Sequence, residues 1–238
     1  MAGHSKWANI KHKKAKEDAS RGKSFTKLVK EITVVARDGG GDVSGNPRLR
    51  TLVDKAKQIN MPQENIKRAI LKGTGELPGT SYEQMMYEGY GPAGIAIMLE
   101  VLTDNKNRAV AAVRSTFTKK GGNLAENGSV SWMFSQKGLI KATGASLSED
   151  ELLEKLIDFD VDDIQKDDDL FIVTCDMKAL EQVKQGIVQA GLTIESAEIE
   201  WVAKDRADLS EADAEKAYEF LSDLESLEDT QNVYSNIE

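Results

Sequence analysis

From Phe25 onward, the apolar residues Leu28, Val29, Ile32, Val35 and Ala36 recur at i, i+3, i+4 and i+7. That spacing places them on one face of a helix. Gly22 weakens any extension backward, so the pattern predicts a helix from about Ser24. Lys27 and Lys30 are expected on the opposite face, joined by Lys16 and Lys23 if the helix extends that far back, and "DGGGD" ends the helix. Asn46-Pro47 reads as an N-cap followed by a first helical proline, opening a second helix with Leu49, Leu52, Val53, Ala56 and Ile59 inward. Pro62 opens a third, with Ile66, Ala69 and Ile70 on its buried side and Gly73 as its C-cap. Three short amphipathic helices can bury their stripes only against one another. They predict a helical domain over residues 1–79 that ends in the linker "GTGELPGTS".

After the linker the period changes. "EQMMYEGYGPAGIAIMLEVL" holds two strand-like runs around a Gly/Pro turn, and Asp104 is placed to cap a helix through Ala109, Val110, Val113 and Phe117. "SVSWMF" reads as a strand. "GLIKA", "SEDELLEKLI", "FDVDDI", "LFIVTC", "MKALEQVKQGIVQA" and "IESAEIEWV" then follow in the order βαββαβ, a ferredoxin-like arrangement complete over residues 136–206. The last helix, "SEADAEKAYEFLSDL", and the last strand, "QNVYSNI", are left without partners inside that block. They are expected to return to the sheet begun before it. The fold class is therefore α+β: a three-helix domain, then two ferredoxin-like α+β domains. One of these, residues 136–206, is inserted in the other, residues 80–135 plus 207–238.

Hydrophobic residues make up 40% of the chain and charged residues 30%, enough apolar material to build such cores. No run approaches the roughly 18 apolar residues that would span a bilayer, and the basic start has no apolar segment behind it, as a signal peptide would. The lone Cys175 lies within "LFIVTCD" and reads as a small core residue. The net charge of −9 conceals a division. Residues 1–80 hold 17 Lys+Arg against 8 Asp+Glu, residues 81–146 hold 7 against 5, and residues 147–238 hold 7 against 27. The front attracts polyanions, and the back repels them.

Candidate chemistry is sparse. "GYGPAG" satisfies G-x-G-x-x-G, but it leads into the β-rich "IAIMLEVL" rather than a helix, so a hairpin turn is expected and not a dinucleotide site. Asp158, Asp160 and Asp162 have calcium-loop spacing, yet Asp163 stands where the loop needs Gly and Asp169 where it needs Glu. His4 and His12 are the only histidines and have no cysteine or spaced acid beside them, so neither a metal site nor a nucleophile–histidine pair is expected. No cofactor, small-molecule substrate or catalysis is implied.

The remaining candidate is the arm. Lys6, Trp7, Lys11, His12, Lys13, Lys14, Lys16, Arg21, Lys23 and Lys27 combine phosphate-pairing cations with one indole that can stack on a base. A solvated tail would need the lysines but not the tryptophan. "GNPRLR" and Lys67-Arg68 add charge from the neighbouring helices. Nucleic acid is the expected partner. A protein-interaction module that uses the acidic back is a different reading, and it predicts that the arm is dispensable.

The segments "MAGHSKWANIKHKKAKEDASRGK", "NPRLRTLVDKAKQINMPQENIKRAI", "YEGYGPAGIAIMLEVLTDNKNR" and "GGNLAENGSVSWMF" resemble the YebC/PmpR family, with likeness of pattern more than of letters beyond about residue 140. The resemblance implies three domains, one helical and two α+β. It also implies a cytoplasmic regulator of gene expression, in most members a DNA-binding transcriptional regulator and in others a translation factor acting on RNA at the ribosome. Both roles require polyanion binding, so the arm does not separate them.

Overall fold

The computed structural model describes residues 21–144 and 147–237. Helix α1 (Arg21–Gly39), α2 (Pro47–Gln58) and α3 (Gln63–Gly73) pack through Leu28, Ile32, Val35, Leu49, Val53, Ala56, Ile66 and Ala69. Asn46 caps α2 through Oδ1, which accepts from the Leu49 N–H, while its Nδ2 donates to the carbonyls of Val35 and Gly40. One side chain thus starts α2 and satisfies the end of α1. Gly73 is the last residue of α3, with Thr74 as its cap. A Cβ on Gly73 would lie 2.3 Å from the Thr33 carbonyl oxygen and 2.8 Å from the Ala36 Cβ. The missing side chain is what lets α3 approach α1. Gly73→Ala is therefore expected to cost about 1–3 kcal/mol through overpacking, read as a lower melting temperature, despite alanine's better helix propensity.

Strands β1 (Glu83–Tyr90) and β2 (Ala96–Thr103) form an antiparallel hairpin around the turn Pro92–Gly94, where Ala93 takes φ 56°. This is the hairpin expected of "GYGPAG". Helix α4 (Lys106–Lys119) is capped by Asn105, whose side chain accepts from the Arg108 N–H. Asp104, the expected cap, instead pairs with the Arg108 guanidinium at 2.7 Å. Strand β3 (Asn123–Ala125) then pairs with β1.

"SVSWMF" is not a strand throughout. Ser131–Met133 is a 3₁₀ turn, and β4 runs over Phe134–Thr143. The reason lies in β1: the buried Glu88 carboxylate accepts from the N–H groups of Gly128, Val130 and Ser131, which removes those donors from any ladder. The chain continues through α5 (Glu149–Lys155), β5 (Val161–Asp167), β6 (Leu170–Asp176), α6 (Leu180–Gln189) and β7 (Thr193–Ala203), with sheet order β5-β6-β4-β7. This is the ferredoxin-like arrangement. Asp158 and Asp160 precede β5, and Asp162 within it pairs with Lys137 at 3.0 Å.

Helix α7 (Glu211–Ser226) and β8 (Thr230–Ser235) return the chain to the first sheet, whose order is β3-β1-β2-β8. Alternate residues of β2 serve two cores. Ile97, Leu99 and Val101 face α4 and α7, where Phe117 and Phe220 meet edge to face at 5.0 Å. Ala96 and Met98 face a second cluster with Val130, Phe134 and Tyr234, against which Trp201 and Ala203 of β7 also pack. Burial on both sides explains why "IAIMLEVL" shows no polar alternation.

Candidate nucleic-acid interface

Helix α1 carries the chain out of the basic arm. Lys6, Trp7, Lys11, His12, Lys13, Lys14 and Lys16 lie outside the described residues. Arg21 and Lys23 stand on the first turn of α1, and Lys27 follows one turn later. From that point the polar side of the helix faces the C-terminal part of the chain rather than solvent. Lys27 Nζ donates to the Glu225 carbonyl at 3.2 Å. Lys30, expected on an open face, is only 4% exposed. Its Nζ pairs with Asp229 at 2.7 Å and donates to the Glu228 carbonyl at 3.2 Å. Both lysines thus meet main-chain oxygens where α7 ends, the negative end of its dipole.

Asp229 also receives Arg108, at 3.0 Å. Burial pushes the Asp229 carboxyl up, but Lys30 and Arg108 outweigh it and hold the group below its ordinary value. A second junction lies at α2, where Lys55 pairs with Glu198 of β7 at 2.7 Å. Burial raises the Glu31 carboxyl there; Lys55 and Arg48 oppose the rise, while Glu198 and Glu100 add to it.

The remaining cations of the helical domain divide by whether they are engaged. Arg50 donates to the carbonyls of Val43 and Ser44, and Lys57 pairs with Asp54. Arg48 is exposed near Glu31. Lys67, Arg68 and Lys72 on α3 are exposed and make no ion pair among the described residues. Arg68 and Lys72 are one turn apart, so α3 presents a short row of open cations. The Lys67-Arg68 pair was legible in the sequence. Lys72 follows Arg68 by four residues on the expected third helix, so its place in the row was legible too; only the fold shows that these cations stay unpaired.

Elsewhere, Cys175 is fully buried and its thiol is pushed up to about 11, by desolvation first and then by Asp162, Asp176 and Asp160. It stays protonated and packs as a small apolar residue. Among the described residues no three His, Cys, Asp or Glu side chains gather as a metal set, and no helix is long and apolar enough to cross a membrane.

Residues 5–76 match the family described as the TACO1/YebC protein N-terminal domain, and residues 82–237 match that described as the TACO1/YebC second and third domain. A probable transcriptional regulatory protein of Chlorobaculum parvum is 50% identical over 239 residues, covering 100% of this chain and 95% of that protein. Another of that name, from Geobacter sulfurreducens, is 50% identical over 238 residues, covering 100% and 96%. The crystal structure of a conserved hypothetical protein from Aquifex aeolicus superposes with a TM-score of 0.83 at 44% identity, covering 93% of this chain and 91% of that one.

Proposed function

Because the chain belongs to the TACO1/YebC family, we propose that it is a nucleic-acid-binding regulator of gene expression in the cytoplasm, acting on transcription through DNA. Relatives of half-identical sequence, 95% and 96% of whose length this chain covers, are named as probable transcriptional regulatory proteins, which supports the regulatory half of this reading. The observation that carries the nucleic-acid half is the open row Lys67, Arg68 and Lys72 on the domain that also carries the basic arm. Its role is binding, not catalysis.

Each cation that neutralises a phosphate adds about −0.9 to the log–log salt slope on duplex DNA and about −0.7 on single strands. Changing Lys11, Lys13, Lys14 and Lys16 to Gln is expected to flatten the duplex slope by about 3–4 units. Changing Lys67, Arg68 and Lys72 to Gln is expected to flatten it by a further 2–3 units. Both sets should weaken all sequences alike, since phosphates carry no sequence information. Affinity and slope unchanged by both sets would sink the proposal. Binding confined to RNA, with the same flattening, would move the role to translation.

A further inference from the structure

Trp132 leaves 65% of its surface exposed, and Tyr90 leaves 36%. A single exposed apolar side chain is ordinary, but these two are mounted. The Trp132 indole N–H donates to the Ser129 carbonyl at 3.0 Å, and the Tyr90 hydroxyl donates to the same oxygen at 3.0 Å. Both polar tips are therefore engaged, and what each ring presents to solvent is apolar π surface.

The backbone that carries the indole is held on all sides. Glu88, 5% exposed, gathers the N–H groups of Gly128, Val130 and Ser131 at 2.8–2.9 Å. The Met133 N–H donates to the Val130 carbonyl at 2.9 Å. The Lys204 N–H donates to the Met133 carbonyl at 2.8 Å, and Lys204 Nζ donates to the Trp132 carbonyl at 2.8 Å. On either side of Trp132, Val130 and Phe134 are sunk in the second core. Turning the indole inward would break this mounting, so its exposure is built into the loop.

We propose that Trp132 and Tyr90 form a stacking platform for unpaired bases of a single-stranded nucleic acid, a site built on residues other than those of the arm and α3. The proposal rests on the nucleic-acid reading above. A flat ligand with its own π face fits rings that have no donor left to offer. An extended proline-rich peptide fits less well, because its backbone carbonyls need donors and both ring donors are already taken. A cation stands beside the platform for the phosphates: Lys204 Nζ is bonded to the Trp132 carbonyl at 2.8 Å. Glu126 is the one acidic side chain in the loop 126–133.

The test uses the full-length protein with labelled oligo(U), oligo(dT) and a DNA duplex of equal length, across a salt series. Trp132→Ala is expected to weaken both single strands by about 5- to 150-fold, the equivalent of one base–aromatic stack of about 1–3 kcal/mol. Its salt slope and duplex affinity should stay at wild-type values, and Trp132→Phe should retain most of the binding. Tyr90→Leu supplies the same test if Trp132→Ala does not fold. Single-strand affinity within about twofold of wild type in both variants overturns the platform, as does an equal loss on the duplex. So does fluorescence quenching by a proline-rich peptide but not by the oligonucleotides. In each of those cases a slope still flattened by the lysine variants leaves the nucleic-acid reading standing. Failure of the wild type to bind any of the three probes overturns both.

Discussion

Replacing Glu88 by Ala is expected to destabilise the protein by about 3–5 kcal/mol and to release the loop around Trp132. The carboxylate accepts three main-chain hydrogen bonds, from Gly128 at 2.9 Å, Val130 at 2.8 Å and Ser131 at 2.9 Å. Hydrogen bonds to a charged group contribute about 1.5–3 kcal/mol each, and a buried donor left without a partner carries its full desolvation penalty. Val130 is fully buried, so its N–H would have no water to replace the lost oxygen. Glu88→Gln keeps the volume but turns one oxygen into an amide nitrogen, which then faces N–H donors. It should be nearly as damaging. Burial pushes the Glu88 carboxyl up, but the three N–H donors outweigh it and hold it below the ordinary glutamate value. The sign follows: a depressed carboxyl stabilises above its unfolded value of about 4.3 and loses that contribution as pH falls through the folded one. Denaturant unfolding of wild type and both variants at neutral pH, repeated below pH ~4, checks this. A loss under about 1 kcal/mol at neutral pH would sink it.

The helical stripe was legible because three helices with one face each leave no choice of partner. The βαββαβ block was legible for a similar reason: its strands and helices alternate in an order that closes its own sheet. "SVSWMF" misled because Val130, Trp132 and Phe134 stand at i, i+2 and i+4, the period of a strand. The structure buries the outer two and exposes the middle one by way of a turn. That turn is dictated by Glu88, some forty residues earlier, which in the sequence is one acid among many. Lys30 was misplaced for the same physical reason. Its side of α1 is polar, as read, but the end of α7 covers it, and nothing local to either segment announces the meeting. The open cations of α3 belong to the same class: charge is written in the sequence, but which charges remain unpaired depends on long-range contacts.

The same covered face gives the second large effect. Asp229→Asn is expected to cost about 3–5 kcal/mol, because it leaves Lys30 buried beside a neutral amide. Lys30 and Asp229 are 4% and 7% exposed and 2.7 Å apart, so water can replace neither partner readily. The Glu228 carbonyl and the Tyr82 ring, 5.9 Å away, remain near the ammonium, but neither carries a full negative charge. Arg108 loses less, since it is partly exposed and keeps Asp104. Lys30→Met should be milder than Asp229→Asn, because Arg108 still neutralises the Asp229 carboxylate. The double variant Lys30→Met with Asp229→Asn should recover much of the single-variant loss, giving a coupling of order 1–3 kcal/mol in a double-mutant cycle. Asp229 is held below its ordinary value, so the difference between wild type and Asp229→Asn should be complete above about pH 3.9 and shrink as pH falls through the folded value. Because Lys30 belongs to α1 and Asp229 to the segment between α7 and β8, hydrogen exchange in Asp229→Asn should rise first along the polar side of α1 and at residues 227–230, ahead of the inserted sheet. Additive single-variant losses, or exchange that rises uniformly over the chain, would mean that the pair does not fasten the helical domain to the rest.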